Sequence, residues 1–375
     1  MNFGKLALAQ AKKHHGKIEV VSKIKVNSRE DLSTAYTPGV AQVSLEVSRN
    51  KAKAYDLTIK GNSVAVVSDG TAVLGLGDIG PESALPVMEG KALLFKEFAG
   101  IDAYPIVLNT KDPDEIVAIV KAISPGFAGI NLEDISAPRC FEIEERLQNI
   151  GIPVFHDDQH GTAIVILAAL LNSLKVVKKQ MKDIKVVIAG AGAAGVATAK
   201  ILKPDKLVLI DSKGPINNKR TDLNKYKKQL AALPYYENCK NLDEVFKNAD
   251  VFIGLSGKGK LTAAQIAKMN KNAIVFALSN PTPEILPEQA KKAGAVVVAT
   301  GRSDYPNQIN NVLAFPGMFR GAIDRKAPRI TETMKLKAAE TLASFVKHPT
   351  KDKILPSPLE KQVAKKISSA IKNLK

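Results

Sequence analysis

Residues 185–202 read KVVIAGAGAAGVATAKIL, an apolar run followed by a glycine-rich turn and an alanine-rich segment. The apolar run predicts a buried strand, and the alanine-rich segment predicts a helix. Gly190, Gly192 and Gly195 have the spacing of a dinucleotide-binding turn. The first glycine permits the tight turn, the second lets backbone amides approach a pyrophosphate, and the third lets the helix pack close to the sheet. The stretch therefore predicts a Rossmann-like unit.

The next predicted strand, LVLID at 207–211, ends in Asp211, about 20 positions after Gly190 as this fingerprint requires. A carboxylate there accepts hydrogen bonds from a ribose diol and repels a 2′-phosphate, which favours NAD over NADP. Lys213 nearby weakens that preference. The predicted cofactor-binding residues are Gly190, Gly192, Ala193, Ala194, Gly195, Asp211, Thr162, Ser256 and Asn280.

Strands and helices alternate on both sides of this turn. Downstream, apolar strands at 251–255, 273–278 and 295–300 alternate with helical stretches, which is typical of a parallel sheet covered on both faces. Upstream, further strands are predicted at 63–70, 104–108, 129–134 and 152–155. They are separated by a glycine-rich loop and helix at 74–100 and by helices at 112–123 and 139–149. The tail at 331–375 is helical and interrupted by prolines. We expect an α/β protein, and its length predicts two domains, each large enough to bury its own core.

Two acidic pairs follow predicted strands. Glu133 and Asp134 end the strand at 129–134, and Asp157 and Asp158 belong to HDDQHGTA at 156–163, interpreted as a turn before an apolar helix at 162–177. A single acidic pair is more often a solvated turn or a helix cap, but two pairs at strand ends beside a dinucleotide turn favour a site. Carboxylate oxygens suit Mg²⁺ or Mn²⁺ better than zinc.

His156 and His160 are four residues apart, as in zinc hydrolases. The glutamate that follows the first histidine of such motifs is missing, so structural roles are favoured over a zinc site.

Composition limits the class of protein. The 375 residues include 54 Lys and Arg against 37 Asp and Glu, a net charge of +17. Because these charges are spread along the chain and no aromatic-interleaved basic segment occurs, we do not expect nucleic acid as a partner. No window approaches the ~18 apolar residues of a membrane span, so we do not expect a membrane either. Cys140 and Cys239 lack metal-ligand spacing and predict reduced thiols, and we expect a cytoplasmic protein.

Two residues gain no role from spacing alone. Ser28 and Asp31 predict a capped helix that stops at Pro38-Gly39, which places Tyr36 on a turn. Lys91 is expected near the N-terminus of the helix that follows the glycine-rich loop.

Seven segments, in this order, resemble the malic enzymes of the short bacterial type over nearly the whole chain. They are AYTPGVA (35–41), DGTAVLGLGDIG (69–80), PVMEGKALLF (86–95), GINLEDI (129–135), PVFHDDQHGTA (153–163), ALSNPT (277–282) and NNVLAFPG (310–317). The resemblance implies divalent-metal-dependent oxidative decarboxylation of (S)-malate to pyruvate and CO₂ with reduction of NAD or NADP.

The resemblance also implies residue roles. Lys91 is similar to the family's general base and Tyr36 to its general acid. Glu133, Asp134 and Asp158 match the metal ligands, with Asp157 beside them, and Asn280 and Asn311 match substrate contacts. A lysine beside a divalent cation in a desolvated cleft is expected to have a lowered pKa.

Larger members carry an arginine for a substrate carboxylate where this chain has Ala72, so we expect another cation or backbone amides there. Short members form homodimers that share the cleft, so Tyr36 is expected to act across the interface.

The resemblance implies a malic-type α/β domain at 1–160, a Rossmann-like doubly wound domain at 161–316 and a helical segment at 317–375 that packs back on the first. Two alternatives remain. One is a non-decarboxylating NAD-dependent 2-hydroxy-acid dehydrogenase, and the other is a basic NAD-sensing or nucleic-acid-binding Rossmann protein.

Overall fold

The computed structural model describes residues 3–73, 75–256 and 261–374. Leu74, at the start of the predicted glycine-rich loop, lies outside the described residues, as do the chain ends. The strands are β1 (Ser63–Ser68), β2 (Asp102–Val107), β3 (Gly129–Leu132), β4 (Val154–His156), β5 (Lys185–Ala189), β6 (Lys206–Asp211), β7 (Gly214–Pro215), β8 (Val251–Gly254), β9 (Ala273–Ala277) and β10 (Ala295–Thr300). The helices are α1 (Phe3–His14), α2 (Arg29–Ala35), α3 (Val40–Arg49), α4 (Ala54–Leu57), α5 (Pro81–Ala99), α6 (Pro113–Ile123), α7 (Arg139–Leu147), α8 (Asp157–Val177), α9 (Ala193–Leu202), α10 (Lys225–Ala231), α11 (Leu242–Phe246), α12 (Ala263–Ala267), α13 (Pro287–Lys292), α14 (Phe315–Asp324), α15 (Glu332–Ser344) and α16 (Gln362–Lys372).

The described strands form two sheets. The first has the order β2-β1-β3-β4 and is parallel throughout. The second has the order β10-β9-β8-β5-β6-β7, in which only the two-residue edge strand β7 is antiparallel. Strands β1, β3, β5, β8 and β9 are buried along their whole length, as expected of parallel strands covered on both faces. The α/β fold class is confirmed.

Helix α8 begins earlier than predicted. Asp157 and Asp158 occupy its first turn, so HDDQHG is not a separate turn before the helix. Two carboxylates at a helix N-terminus are stabilised by the helix dipole, which explains why the helix extends back to the end of β4. In length and apolar character, α8 could cross a membrane, which we did not expect from the sequence. However, 72% of its apolar window is buried within the protein, as in a core helix.

Helix α5 corrects the expected position of Lys91. The helix begins at Pro81, which occupies its first turn, and it continues through Pro86 and Gly90 to Ala99. Lys91 therefore lies in the middle of the helix and not near its N-terminus.

The C-terminal helices pack on the first sheet's helix layer. Phe95 of α5 contacts Phe315 and Phe319 of α14 edge to face, at centroid distances of 4.8 and 5.2 Å. Side chains at Gly317 and Gly321 would overlap α16, which explains how closely α14 and α16 approach. These two aromatic pairs join helices that are far apart in the sequence.

Residues 3–57 are mostly exposed. Helix α2 has the predicted cap, because Ser28 Oγ accepts from Asp31 N and the Asp31 side chain accepts from Ser28 N. None of the residues in α1–α4 is buried. Apolar side chains on this segment are exposed instead, including Val20, Ile24 and Val43. The segment therefore presents an apolar surface.

Candidate active site

A buried cluster of ion-paired side chains lies where helices α5 and α8 meet the end of β3. Lys91 Nζ of α5 lies 2.6 Å from Asp157 Oδ2 of α8 and 2.8 Å from Glu133 Oε1, which follows β3. The ammonium also lies 4.3 Å from the ring centroid of Phe315. Lys91, Glu133 and Asp157 are all buried. Three elements that are distant in sequence thus place a lysine between two carboxylates in a site largely closed to water.

The electrostatics of this cluster differ from the expectation for Lys91. Burial raises the pKa of Glu133 and of Asp157, each to about 7, against the attraction of Lys91. Burial by itself lowers the pKa of Lys91, but attraction to Asp157 and Glu133 is stronger, so the net shift is upward. The protein's own groups therefore favour the ammonium, and the predicted lowering of its pKa is not found.

Three acidic side chains form a potential metal site beside Lys91. Glu133, Asp134 and Asp158 each place one oxygen within 4.8 Å of the others. Asp134 N donates to Asp158 Oδ2 at 2.9 Å, and Asn131 Nδ2 donates to Glu133 Oε2 at 2.8 Å, which orients the carboxylates. An all-carboxylate set, in which Glu133 and Asp134 are buried and Asp158 is half-buried, fits a hard cation such as Mg²⁺ or Mn²⁺.

The two predicted substrate asparagines lie in different surroundings. Gly161 leaves room for the Asp157 side chain one turn earlier in α8 and lets the helix lie close to Asn311, because a Cβ at Gly161 would overlap Asp157 and lie 3.3 Å from Asn311 Cβ. Asn311 therefore adjoins the Lys91 cluster. Asn280 is exposed after β9, and its carbonyl oxygen would lie 2.8 Å from a Cβ at Gly75. The glycine-rich loop thus approaches the loop that carries Asn280.

Tyr36 is not part of the cluster within one chain. Its side chain is 67% exposed, whereas Lys91 is buried. The structure therefore does not unite the two predicted proton-transfer residues in a single subunit.

The loop at Ala72 offers few free groups for a substrate carboxylate. Ala72 N donates to Asp134 O, and Val73 N donates to Gly77 O, so these two amides are occupied. Arg139, which the sequence reasoning did not identify, contacts the neighbouring Thr71 at 3.0 Å and Asp69 at 3.1 Å. Its buried Nε has no hydrogen-bond partner among the described residues. No spacing signal in the sequence singles this arginine out.

The glycine turn has the predicted backbone geometry. Gly190 has a φ of +114°, and a Cβ there would lie 2.6 Å from Leu255 O. A Cβ at Gly195 would lie 1.8 Å from Gly190 O, so only glycine allows this close approach. Gly192 faces open space at the start of α9, where backbone amides are available to an anion.

Asp211 is more constrained than predicted. Its Oδ1 accepts from Arg220 Nη1 at 2.8 Å, and its Oδ2 accepts from Lys227 Nζ at 2.7 Å. Burial opposes ionisation, but these hydrogen bonds outweigh it and lower the pKa of Asp211. The carboxylate at the end of β6 is therefore ion-paired, and two cations accompany it that the sequence reasoning did not identify.

Of the remaining predicted cofactor residues, Thr162 is half-buried on α8 and Ser256 follows β8. Ser256 N donates to Glu284 Oε1 at 3.1 Å, and Ser279 N donates to Glu284 Oε2 at 3.2 Å. Glu284 is buried and ties together the carboxyl ends of β8 and β9. It had no sequence signal beyond its position after the asparagine loop.

The two histidines do not form a metal site. His156 is fully buried, and burial lowers its pKa to about 4. His160 Nε2 lies 2.8 Å from Glu144 Oε2, and Lys335 Nζ lies 3.1 Å from His160 Nδ1. Among the described residues, only the three carboxylates form a candidate metal cluster. The structure thus favours structural roles for both histidines.

Comparisons with known proteins show the family of this chain. Residues 15–148 match the family "Malic enzyme, N-terminal domain" and residues 159–374 match "Malic enzyme, NAD binding domain". The NAD-dependent malic enzyme of Geobacillus stearothermophilus is 57% identical over 95% of this chain and 76% of its own length. The bifunctional malic/malolactic enzyme of Bacillus subtilis is 53% identical over 99% and 92%.

A solved structure gives the same result. The malic enzyme from Pyrococcus horikoshii superposes with a TM-score of 0.92 at 49% identity, covering 97% of this chain and 89% of that one. Together, the sequence and structural matches span both sheets and the helical C-terminal end. The chain belongs to the malic enzyme family.

Proposed function

We propose that this protein oxidises (S)-malate and decarboxylates it to pyruvate and CO₂, with reduction of NAD and with Mg²⁺ or Mn²⁺ as the required cation. The observation that carries the proposal is the buried Lys91 between Asp157 and Glu133, with three clustered carboxylates beside it. The glycine turn before α9 supports a dinucleotide, and the NAD-dependent relative from Geobacillus stearothermophilus supports NAD.

Lys91 would remove the proton from the C2 hydroxyl, and Tyr36 would later donate a proton to C3. Glu133, Asp134 and Asp158 would hold the divalent cation. In these sites, NAD would supply a hydride acceptor for C2, and the cation would supply positive charge to polarise the C2 oxygen and to stabilise the charge left by loss of CO₂. Lys91 must first lose its own proton. Neutralisation of Glu133 by a cation would weaken one of the two attractions that hold that proton.

Two features support a homodimer as the functional form. The segment that carries Tyr36 exposes apolar side chains that a second copy of the chain would cover. Tyr36 itself is exposed, which fits a role in the partner's cleft. We further propose a cytoplasmic location, which is in keeping with the two buried, unpaired cysteines.

The test is absorbance of the reduced nicotinamide with (S)-malate, Mn²⁺ and either NAD or NADP, followed by an assay of the keto acid. We expect metal-dependent reduction with one pyruvate for each NADH. Oxaloacetate in place of pyruvate would indicate the non-decarboxylating alternative. No reduction with any hydroxy acid, together with a gel shift at physiological salt, would favour the nucleic-acid-binding alternative.

A further inference from the structure

A cavity of about 620 Å³, apart from the Lys91 cluster, lies where α7, α8 and α9 meet the start of α15. None of its lining residues belongs to the predicted metal, substrate or cofactor sets. Its apolar lining includes Phe141, Ala163, Val196 and Ile330, and two of the lining helices, α8 and α9, also carry predicted active-site residues. A volume of this size accommodates a small metabolite.

The cavity's acidic groups already have partners. Glu144 pairs with His160, and Glu332 Oε1 lies 2.7 Å from Lys335 Nζ. Glu145 Oε2 lies 3.7 Å from Lys225 Nζ, outside the cavity lining. The carboxylates therefore leave little negative charge to attract a cationic ligand.

Cations on the cavity's rim lack such partners. Lys203 and Arg329 form no ion pair with any described residue, and Lys200 contacts only the ring of Tyr226, at 5.9 Å. These three side chains come from α9 and from the segment before α15, so they approach the cavity from two elements. The resulting field favours an anion.

Buried charge also forms one wall. Lys335 and Glu144 are each only 7% exposed, and His160 lies between them. Gln159 Nε2 donates to Glu144 Oε2 at 3.1 Å, which fixes the orientation of that carboxylate. Charged groups withdrawn from water are held in place by their mutual hydrogen bonds, so the wall is rigid and polar before any ligand arrives.

We propose that this cavity is a binding site for a multivalent oxyanion, carrying phosphate or carboxylate groups, separate from the substrate and cofactor sites. The rim cations Lys200, Lys203 and Arg329 bind the anionic groups. The apolar side, around Phe141 and Ile330, contacts the rest of the ligand. Because no lining residue belongs to the active site, such a ligand binds without displacing malate or the dinucleotide.

The test is calorimetric titration with inorganic phosphate and, separately, with tricarballylate. The protein is held in a complex with excess Mg²⁺, malate and NADH, which occupies the proposed substrate and cofactor sites without turnover because NADH cannot accept a hydride. We expect at least one probe to bind at one equivalent per subunit. The variant K200Q/R329Q, which replaces two rim cations by uncharged side chains, is expected to bind that probe about tenfold more weakly.

A matched control keeps the net charge change constant. K206Q/K337Q removes two exposed lysines near the same helices but outside the cavity lining and is expected to bind as tightly as wild type. Binding of phosphate alone identifies a phosphoryl ligand, and binding of tricarballylate alone identifies a polycarboxylate. The proposal is overturned if neither probe binds the complex, or if K200Q/R329Q, with an unchanged thermal midpoint, binds as tightly as the control.

Discussion

Lys91 Nζ and Asp157 Oδ2 lie 2.6 Å apart in a site where both side chains are buried. The contact joins the middle of α5 to the first residue of α8. Asp157 pairs with the lysine and lies outside the carboxylate cluster of Glu133, Asp134 and Asp158, whereas Glu133 both pairs with the lysine and belongs to that cluster. The adjacent residues Asp157 and Asp158 therefore have different neighbours.

Lys91→Ala is expected to lower kcat by about 10²–10⁴-fold, because it removes the group proposed to take the C2 hydroxyl proton. The dissociation constant for NAD, measured by fluorescence of bound NADH in competition, should change little. Lys96→Ala is the matched control, since Lys96 is an exposed lysine on the same helix that pairs with Asp102. A kcat near that of the control would refute the role of Lys91 as base.

Asp158→Asn is expected to weaken Mn²⁺ binding by about 100-fold or more, since even residues that only orient metal ligands affect affinity by 10–100-fold. Electron paramagnetic resonance of free Mn²⁺ measures this directly. Asp157→Asn changes the adjacent carboxylate, which lies outside the three-carboxylate cluster, and should reduce turnover with a much smaller effect on Mn²⁺ affinity. Equal losses of Mn²⁺ affinity in both variants would contradict the division of roles.

Short sequence motifs predicted the parts of the site that lie in a single turn or at the end of a single strand. The glycine turn and the acidic residues after β3 could be placed because parallel strands bring their carboxyl ends to one edge of a sheet. The start of α8 was missed because Gly161 interrupts the apolar pattern of the helix. In the structure, that glycine provides room for Asp157 and Asn311.

Long-range pairings could not be predicted in the same way. Arg220 and Lys227 reach Asp211 only after the chain beyond β7 has folded back, and neither residue belongs to a motif. The buried group of Glu144, His160 and Lys335 joins residues up to 191 positions apart (335 − 144). Contacts of this kind depend on tertiary packing, which periodicity and spacing do not encode.

Asp211→Ser is expected to raise the ratio of kcat/KM for NADP to that for NAD by about tenfold or more. The substitution frees Arg220 and Lys227, which can then bind a 2′-phosphate, and removes the carboxylate that repels it. Asp222→Asn is the control, because Asp222 also pairs with Arg220 but not with Lys227. An unchanged cofactor ratio in Asp211→Ser would show that the preference is set elsewhere.

Tyr36→Phe and Lys91→Ala are each expected to be nearly inactive, yet a mixture refolded together should recover activity if Tyr36 acts across the dimer. In a dimer of one Tyr36→Phe chain and one Lys91→Ala chain, one active site lacks both groups and the other has both. Random pairing of equal amounts then restores about a quarter of wild-type activity. If Tyr36 serves its own chain, every site in the mixture lacks one group, and activity stays at the level of the separate variants.

His156 is expected to make stability fall on acidification. Burial lowers its pKa from 6.5 in the unfolded chain to about 4. The unfolded state therefore binds more protons between these values, and the stability that the neutral ring contributes above pH 6.5 is lost as pH falls through 4. The full loss is about 3 kcal/mol, at 1.36 kcal/mol per pKa unit.

Glu133 and Asp157 have the opposite effect on stability over part of this range. Their pKa values are raised in the folded state, so the folded state gains stability from them as pH falls below about 7. The effect of His156 is therefore measured as the difference in stability between the wild type and a variant that lacks this histidine. Thermal midpoints of wild type and His156→Gln, followed from pH 7 to 4, should converge as the wild type loses the contribution of its neutral ring. His348→Gln, at an exposed histidine, should give a curve parallel to wild type. Parallel curves for His156→Gln as well would mean that protonation of His156 is not coupled to folding.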